Sequence, residues 1–191
     1  MANNSITFFT SNHMKVRIAD EILSQYGFQV FGQKHDFLEL QEINIDEICR
    51  YKISQVHSDG MAMVDDSGFY VKALNNFPGG LLKPLISCVG EAGILRLMDT
   101  LQNREAVYSC VLAFRREGKI SVFKTLLEGK VSNELLGNRN EGWGIDHIFI
   151  PEGYEKTIGQ FDDHEWRDFY ADFKKKLHYN QLGIALTKNM K

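Results

Sequence analysis

Between residues 5 and 66, short β-rich runs alternate with stretches of helical period, and this alternation limits the fold more than any other feature of the chain. "SITFFT" is a compact run of β-formers. After a polar turn, "KVRIADEILSQYGF" repeats Val16, Ala19, Ile22 and Leu23 at helical spacing. "FQVFGQ" predicts a second strand, and "NIDEICRYKISQVH" a second helix with Ile45, Ile48, Cys49, Ile53 and Val56 on one side. "MAMVD" predicts a third strand that ends at two adjacent acids, Asp65 and Asp66. Strands that alternate with helices call for an α/β layer structure.

Downstream, "GFYVKAL" predicts another strand, and "GGLLKPLISCV" with "EAGILRLMDTL" two short helices, Pro84 marking a start or a kink. "AVYSCVLAFRREGKISVFKTLLEG" predicts a hairpin turning at Glu117-Gly118. A polar, Gly-rich loop, "NELLGNRNEGWG", leads to a short strand in "DHIFIP". The chain closes on an amphipathic helix, "HEWRDFYADFKKKLHY", with Trp166, Phe169, Phe173 and Leu177 inward. The 191 residues, 43% of them hydrophobic, are enough for one substantial core, so a single domain over 1–191 is expected. A net charge of -3 argues against a partner such as a nucleic-acid polymer or a membrane surface, both of which favour basic proteins. Cys49, Cys88 and Cys110 form no CxxC pair and predict neither a disulfide framework nor a zinc site. With no apolar run of signal-peptide or membrane-span length, a cytoplasmic location is expected.

Three stretches carry chemistry. In "TSNHMK" a helix start offers unpaired N–H groups to an anion, with Thr10, Ser11, Asn12 and Lys15 alongside; Ser11 or Asn12 can equally be a plain helix cap. The paired acids suit a hard divalent cation, and equally a turn, since Asp-Asp-Ser-Gly is good turn chemistry. Glu39 or Glu42 could approach the same cation or remain a solvated loop acid. "EGWGID" can stack a planar base on Trp143 while Asp146 reaches its edge, or can use Trp143 to anchor a loop.

Taken in order, "FFTSNHMK", "VDDSG", "NNFPGGLLK" and "GWGIDHIFIPEGYEKT" resemble the inosine triphosphatase family of purine nucleoside triphosphate pyrophosphatases over most of residues 6–161. The resemblance implies an elongated, two-lobed α/β fold with a long mixed sheet flanked by helices and a central cleft. It implies a homodimer that cleaves ITP, dITP or XTP to the monophosphate and pyrophosphate with Mg2+, or with Mn2+ in its place. On this resemblance Thr10, Ser11, Asn12 and Lys15 hold the triphosphate, joined by Lys52, Ser67 and Lys83. Glu42, preferred to Glu39, binds the metal with Asp66. Asp66 or Asp65 orients the attacking water, and Trp143, Gly144, Ile145 and Asp146 form the base-binding loop.

One departure stands out. The family's Ser-His-Arg triplet before the last helix, associated with reading the six-oxo group, has no counterpart in "FDDHEWRDFYADFKKKLHYN". Arg167, His164, Lys174 and His178 are candidate substitutes, although the lysine run reads as a solvated helix face and the two histidines as surface residues. A changed base pocket implies a changed or relaxed substrate, because specificity rests on hydrogen bonds that a wrong base leaves unmade. The alternatives are a pyrophosphatase for another modified nucleotide and a nucleotide-binding protein without turnover.

Overall fold

The computed structural model describes residues 4–58 and 60–188, so the expected domain ends at 1 and 191 lie outside the described residues. Parallel pairing opens the chain: β1 (Ser5–Phe9) lies between β2 (Gln29–Gln33) and β3 (Met61–Val71). Helix α1 (His13–Leu23) crosses from β1 to β2, and α2 (Ile45–Ser54) crosses back from β2 past β1 to β3. Two crossovers of one hand running in opposite directions place their helices on opposite faces of the sheet.

The packing follows. Met61 and Met63 share a core with Ala19 and Ile22 of α1, whereas Ala62 and Val64 share a second core with Ile45, Cys49 and Ile53 of α2. Odd and even residues of β3 therefore face different layers, as strand pleating requires.

The rest of the sheet is antiparallel. β5 (Glu105–Arg116) pairs with β3 from Ala62 to Val71 and with β6 (Lys119–Val131), which pairs with β7 (Phe149–Pro151). The β5–β6 turn is at Glu117 and Gly118, both at positive φ, as the Glu-Gly pair predicts. Short β4 (Pro78–Gly79) pairs with Phe69 and Tyr70. Since β5 takes one edge of β3, β1 and β4 share the other, touching residues 61–63 and 69–70 respectively. Residues 64–68 lie in the gap between them, which divides the molecule into two lobes.

Helix α3 (Leu82–Leu97) breaks at Gly90, whose φ of 64° and ψ of -176° interrupt it, matching the two short helices expected. Two expectations change. "MAMVD" and the "GFYV" of "GFYVKAL" are one 11-residue strand, because the paired acids continue the pleat instead of ending it, while Lys72–Leu74 form a 3-10 turn and not strand. The C-terminal amphipathic segment is two helices, α4 (Asp163–Lys176) and α5 (His178–Lys188), separated at Leu177, whose ψ of 143° is extended. No described helix is long and apolar enough to cross a membrane.

Candidate active site

The gap in β3 holds Asp65, Asp66 and Ser67, and the pleat sends the two carboxylates apart. Asp65 follows Met61 and Met63 toward α1. Its side chain is 5% exposed, and Oδ1 accepts from Lys15 Nζ at 2.8 Å. Oδ2 accepts from the Tyr179 hydroxyl of α5, with His178 Nε2 3.8 Å away. Burial alone would raise the Asp65 carboxyl, but the Lys15 ammonium, its hydrogen bond and the neighbouring His178 together hold the group well below the usual carboxylate range. Burial likewise opposes the charge on Lys15, and the Asp65 and Asp66 carboxylates reverse that effect.

Asp66 follows Ala62 and Val64 toward α2. Oδ2 accepts from Lys52 Nζ at 2.6 Å, and the same ammonium meets Glu39 Oε1 at 2.7 Å. Lys52 is 9% exposed, yet the two carboxylates keep its pKa above normal against the effect of burial. Asp66 Oδ1 accepts from the Ser67 N–H at 2.9 Å. Glu42, favoured over Glu39 by the resemblance, turns back on its own backbone and accepts from the N–H of Ile43 at 2.7 Å and of Asn44 at 3.0 Å. Its main chain is pinned against β4: Gly80 N–H donates to Ile43 O at 2.9 Å, and a Cβ on Gly80 would stand 2.8 Å from the Glu42 carbonyl oxygen.

In the turn after β1, Asn12 is the N-cap of α1, its Oδ1 accepting from the N–H of Met14 and Lys15. Thr10 Oγ1 accepts from the Asn12 N–H at 3.1 Å, and Ser11 is exposed. The cap and the Lys15 position of the candidate phosphate cradle thus occupy one turn, beside the gap. Lys83 is exposed on the first turn of α3.

The candidate base loop is tightly internal. Asp146 is 1% exposed and accepts from the N–H of Glu141, Trp143 and Gly144. Burial raises its carboxyl despite those bonds. Ile145 is fully buried in the core. Trp143 stacks on Tyr108 with ring centroids 4.7 Å apart and is flanked by Trp166, Phe169 and Phe173 of α4. His147, the next residue, is held through its N–H and Nδ1 by Glu91, just beyond the break in α3.

Among the candidate substitutes for the triplet, Arg167 and His164 are exposed and Lys174 pairs with Glu21 of α1. His178 departs from the surface expectation: it is 2% exposed and lies against Asp65. Sequence reasoning did not single out Tyr179 or Glu91. The only signal for Tyr179 was its place beside His178 at the end of an amphipathic run. Burial pushes the Cys110 thiol up to about 12 and raises Cys49 as well, which disfavours the thiolate at both.

The family description that matches residues 6–169 is the Ham1 family. The chain belongs to the Ham1 family. It is 34% identical to the dITP/XTP pyrophosphatase of Pyrococcus horikoshii over 157 residues, covering 81% of this chain and 83% of that protein. The dITP/XTP pyrophosphatase of Thermococcus kodakarensis is 33% identical over 162 residues, covering 84% and 86%. The Staphylococcus aureus Ham1 protein shares the fold with a TM-score of 0.80 at 21% identity, over 98% of this chain and 100% of that one. A HAM1 protein from Coxiella burnetii gives 0.78 at 21%, over 96% and 98%. The Ham1 family match ends within α4, so α5, which supplies Tyr179 and His178, lies beyond it.

Proposed function

We propose that this chain hydrolyses the α–β phosphoanhydride of ITP, dITP or XTP, releasing the monophosphate and pyrophosphate and so clearing aberrant purine nucleotides. The observation that carries the reading is the meeting of Lys15, Asp65, Asp66 and Lys52 at the gap in β3, in a chain whose relatives are dITP/XTP pyrophosphatases.

Attack of water on a phosphoanhydride needs positioning and charge neutralisation more than covalent chemistry. Lys15, the Asn12-capped turn and Lys52 bind phosphate oxygens, and Asp66 orients the water. The donor set fits a divalent ion: Asp66 and Glu39 already converge on one cationic point, the Lys52 ammonium. Among the described residues no group of three or more His, Cys, Asp or Glu side chains is arranged to hold a metal. Magnesium is held by one or two carboxylates and completes its shell with phosphate oxygens and water. Asp66 and Glu39 would hold it, with Glu42 kept to its turn. Once bound, the ion neutralises phosphate charge and lowers the pKa of a coordinated water.

A single domain acting in the cytoplasm, and as a homodimer on the family resemblance, completes this reading. Pyrophosphate release from a panel of nucleoside triphosphates, with and without magnesium, tests it: metal-dependent turnover of ITP, dITP or XTP above that of ATP and GTP is the expected result. A different modified purine is the second reading. The enclosure of Trp143 between Tyr108 and the α4 aromatics favours it, because that ring has little face left for a base. Turnover of another base in the same panel would establish it.

A further inference from the structure

We propose that Tyr179 is a positioning residue for Lys15, acting through Asp65; this rests on the reading of Lys15 as a phosphate contact. Asp65 lies between two elements far apart in the chain, α1 and α5. Its Oδ1 takes the Lys15 ammonium at 2.8 Å, and its Oδ2 takes the Tyr179 hydroxyl at 2.5 Å.

His178 does not share that duty. The Thr125 hydroxyl donates to the Lys176 carbonyl at 3.1 Å, and His178 Nδ1 lies 3.4 Å from the same oxygen of Thr125. His178 Nε2 is 3.8 Å from Asp65 Oδ2, beyond hydrogen-bond reach, and has no hydrogen-bond partner among the described residues. Tyr179 is therefore the donor from α5 that bonds Asp65.

The consequence falls on Lys15. With Tyr179 on Oδ2, the carboxylate is held so that Lys15 meets Oδ1 alone. Lys15 thus spends one N–H on Asp65 and keeps two for a ligand. Its side chain is 31% exposed against 5% for Asp65, so Lys15 is the more open end of the Tyr179–Asp65–Lys15 series. α5 is itself fixed to the α1 side: Tyr26 O–H donates to Asn180 Oδ1 at 3.3 Å, and the Tyr26 ring packs where a side chain on Gly183 would stand.

The test is Tyr179→Phe, which keeps the ring and removes the donor. ITP kinetics and calorimetric binding of inorganic tripolyphosphate, which has no base, report on Lys15. Both KM and the tripolyphosphate Kd are expected to rise about three- to tenfold, the size of one hydrogen bond, with kcat within about twofold. In a Lys15→Met background Tyr179→Phe is expected to add nothing, since its target is gone. Unchanged affinity overturns the proposal, as does an equal loss added on top of Lys15→Met, or a fall in kcat that accompanies a lowered Tm. Should Tyr179→Phe not fold, Asp65→Asn carries the test: weaker tripolyphosphate binding supports the proposal and wild-type binding overturns it. A wild-type chain that hydrolyses no nucleotide would overturn the proposed function alone, because tripolyphosphate binding still decides the role of Tyr179. A wild-type chain that binds no tripolyphosphate overturns this inference.

Discussion

Asp65 and Asp66 are joined by a peptide bond and separated by a sheet: one meets Lys15 of α1 at 2.8 Å, the other Lys52 of α2 at 2.6 Å. Pleating and the two opposed crossovers produce this separation, so the acids are two single sites and not a repelling pair.

Their substitutions should therefore differ. Asp65→Ala leaves the Lys15 ammonium and Tyr179 hydroxyl without their acceptor and is expected to cost about 3 kcal/mol of folding stability. Asp66→Ala, whose side chain is 32% exposed, should cost under about 1 kcal/mol. Urea unfolding of both variants measures the difference.

Two pH effects follow from the same cluster. Burial lowers the pKa of His178, so between its folded value and about 6.5 the unfolded chain binds the extra proton. Stability in that window falls as pH falls, by at most about 1.4 kcal/mol per pH unit for this one group. The folded pKa of Asp65 is depressed, so its contribution is present above about 4 and is lost only in stronger acid. Unfolding midpoints at pH 7.5, 6.5 and 5.5 should decline for the wild type and decline less for His178→Gln.

Glu39 and Glu42 can be told apart by metal titration. Glu39→Gln is expected to raise the magnesium concentration for half-maximal activity roughly tenfold, by removing one of two carboxylates from the cation point. Glu42→Gln should leave that concentration nearly unchanged and cost about 0.5–1 kcal/mol of stability, through the turn it caps.

Asp146→Ala strips three backbone N–H groups of one buried acceptor. A loss of about 2 kcal/mol is expected, together with reduced discrimination between ITP and GTP. The ratio of kcat/KM for the two nucleotides, before and after substitution, is the measurement.

The alternating segments through residue 66 and the β5–β6 hairpin were legible because each has one period and a clear stop, such as Gly118. The strand through Asp65 and Asp66 was cut short because two acids and Ser-Gly read as a turn, whereas pairing along ten residues of β5 keeps them extended. Lys15 and Asp66 were singled out from their stretches and the family motifs, and the structure places both at the β3 gap. That Lys52 would be nearly buried between Asp66 and Glu39 depended on the α2 crossover and has no local signature. Tyr179 was hidden, and His178 was named but read as a surface residue, for a similar reason: a single backbone break at Leu177 turns what reads as a helix end into a second helix aimed at Asp65.

The measurement that bears most directly on the account is single-turnover pyrophosphate release from ITP by Asp66→Asn in saturating magnesium. The account predicts a loss of at least about a hundredfold, with the unfolding midpoint near that of the wild type, because a carboxylate that orients water in the transition state has been removed. Release at the wild-type rate would contradict it.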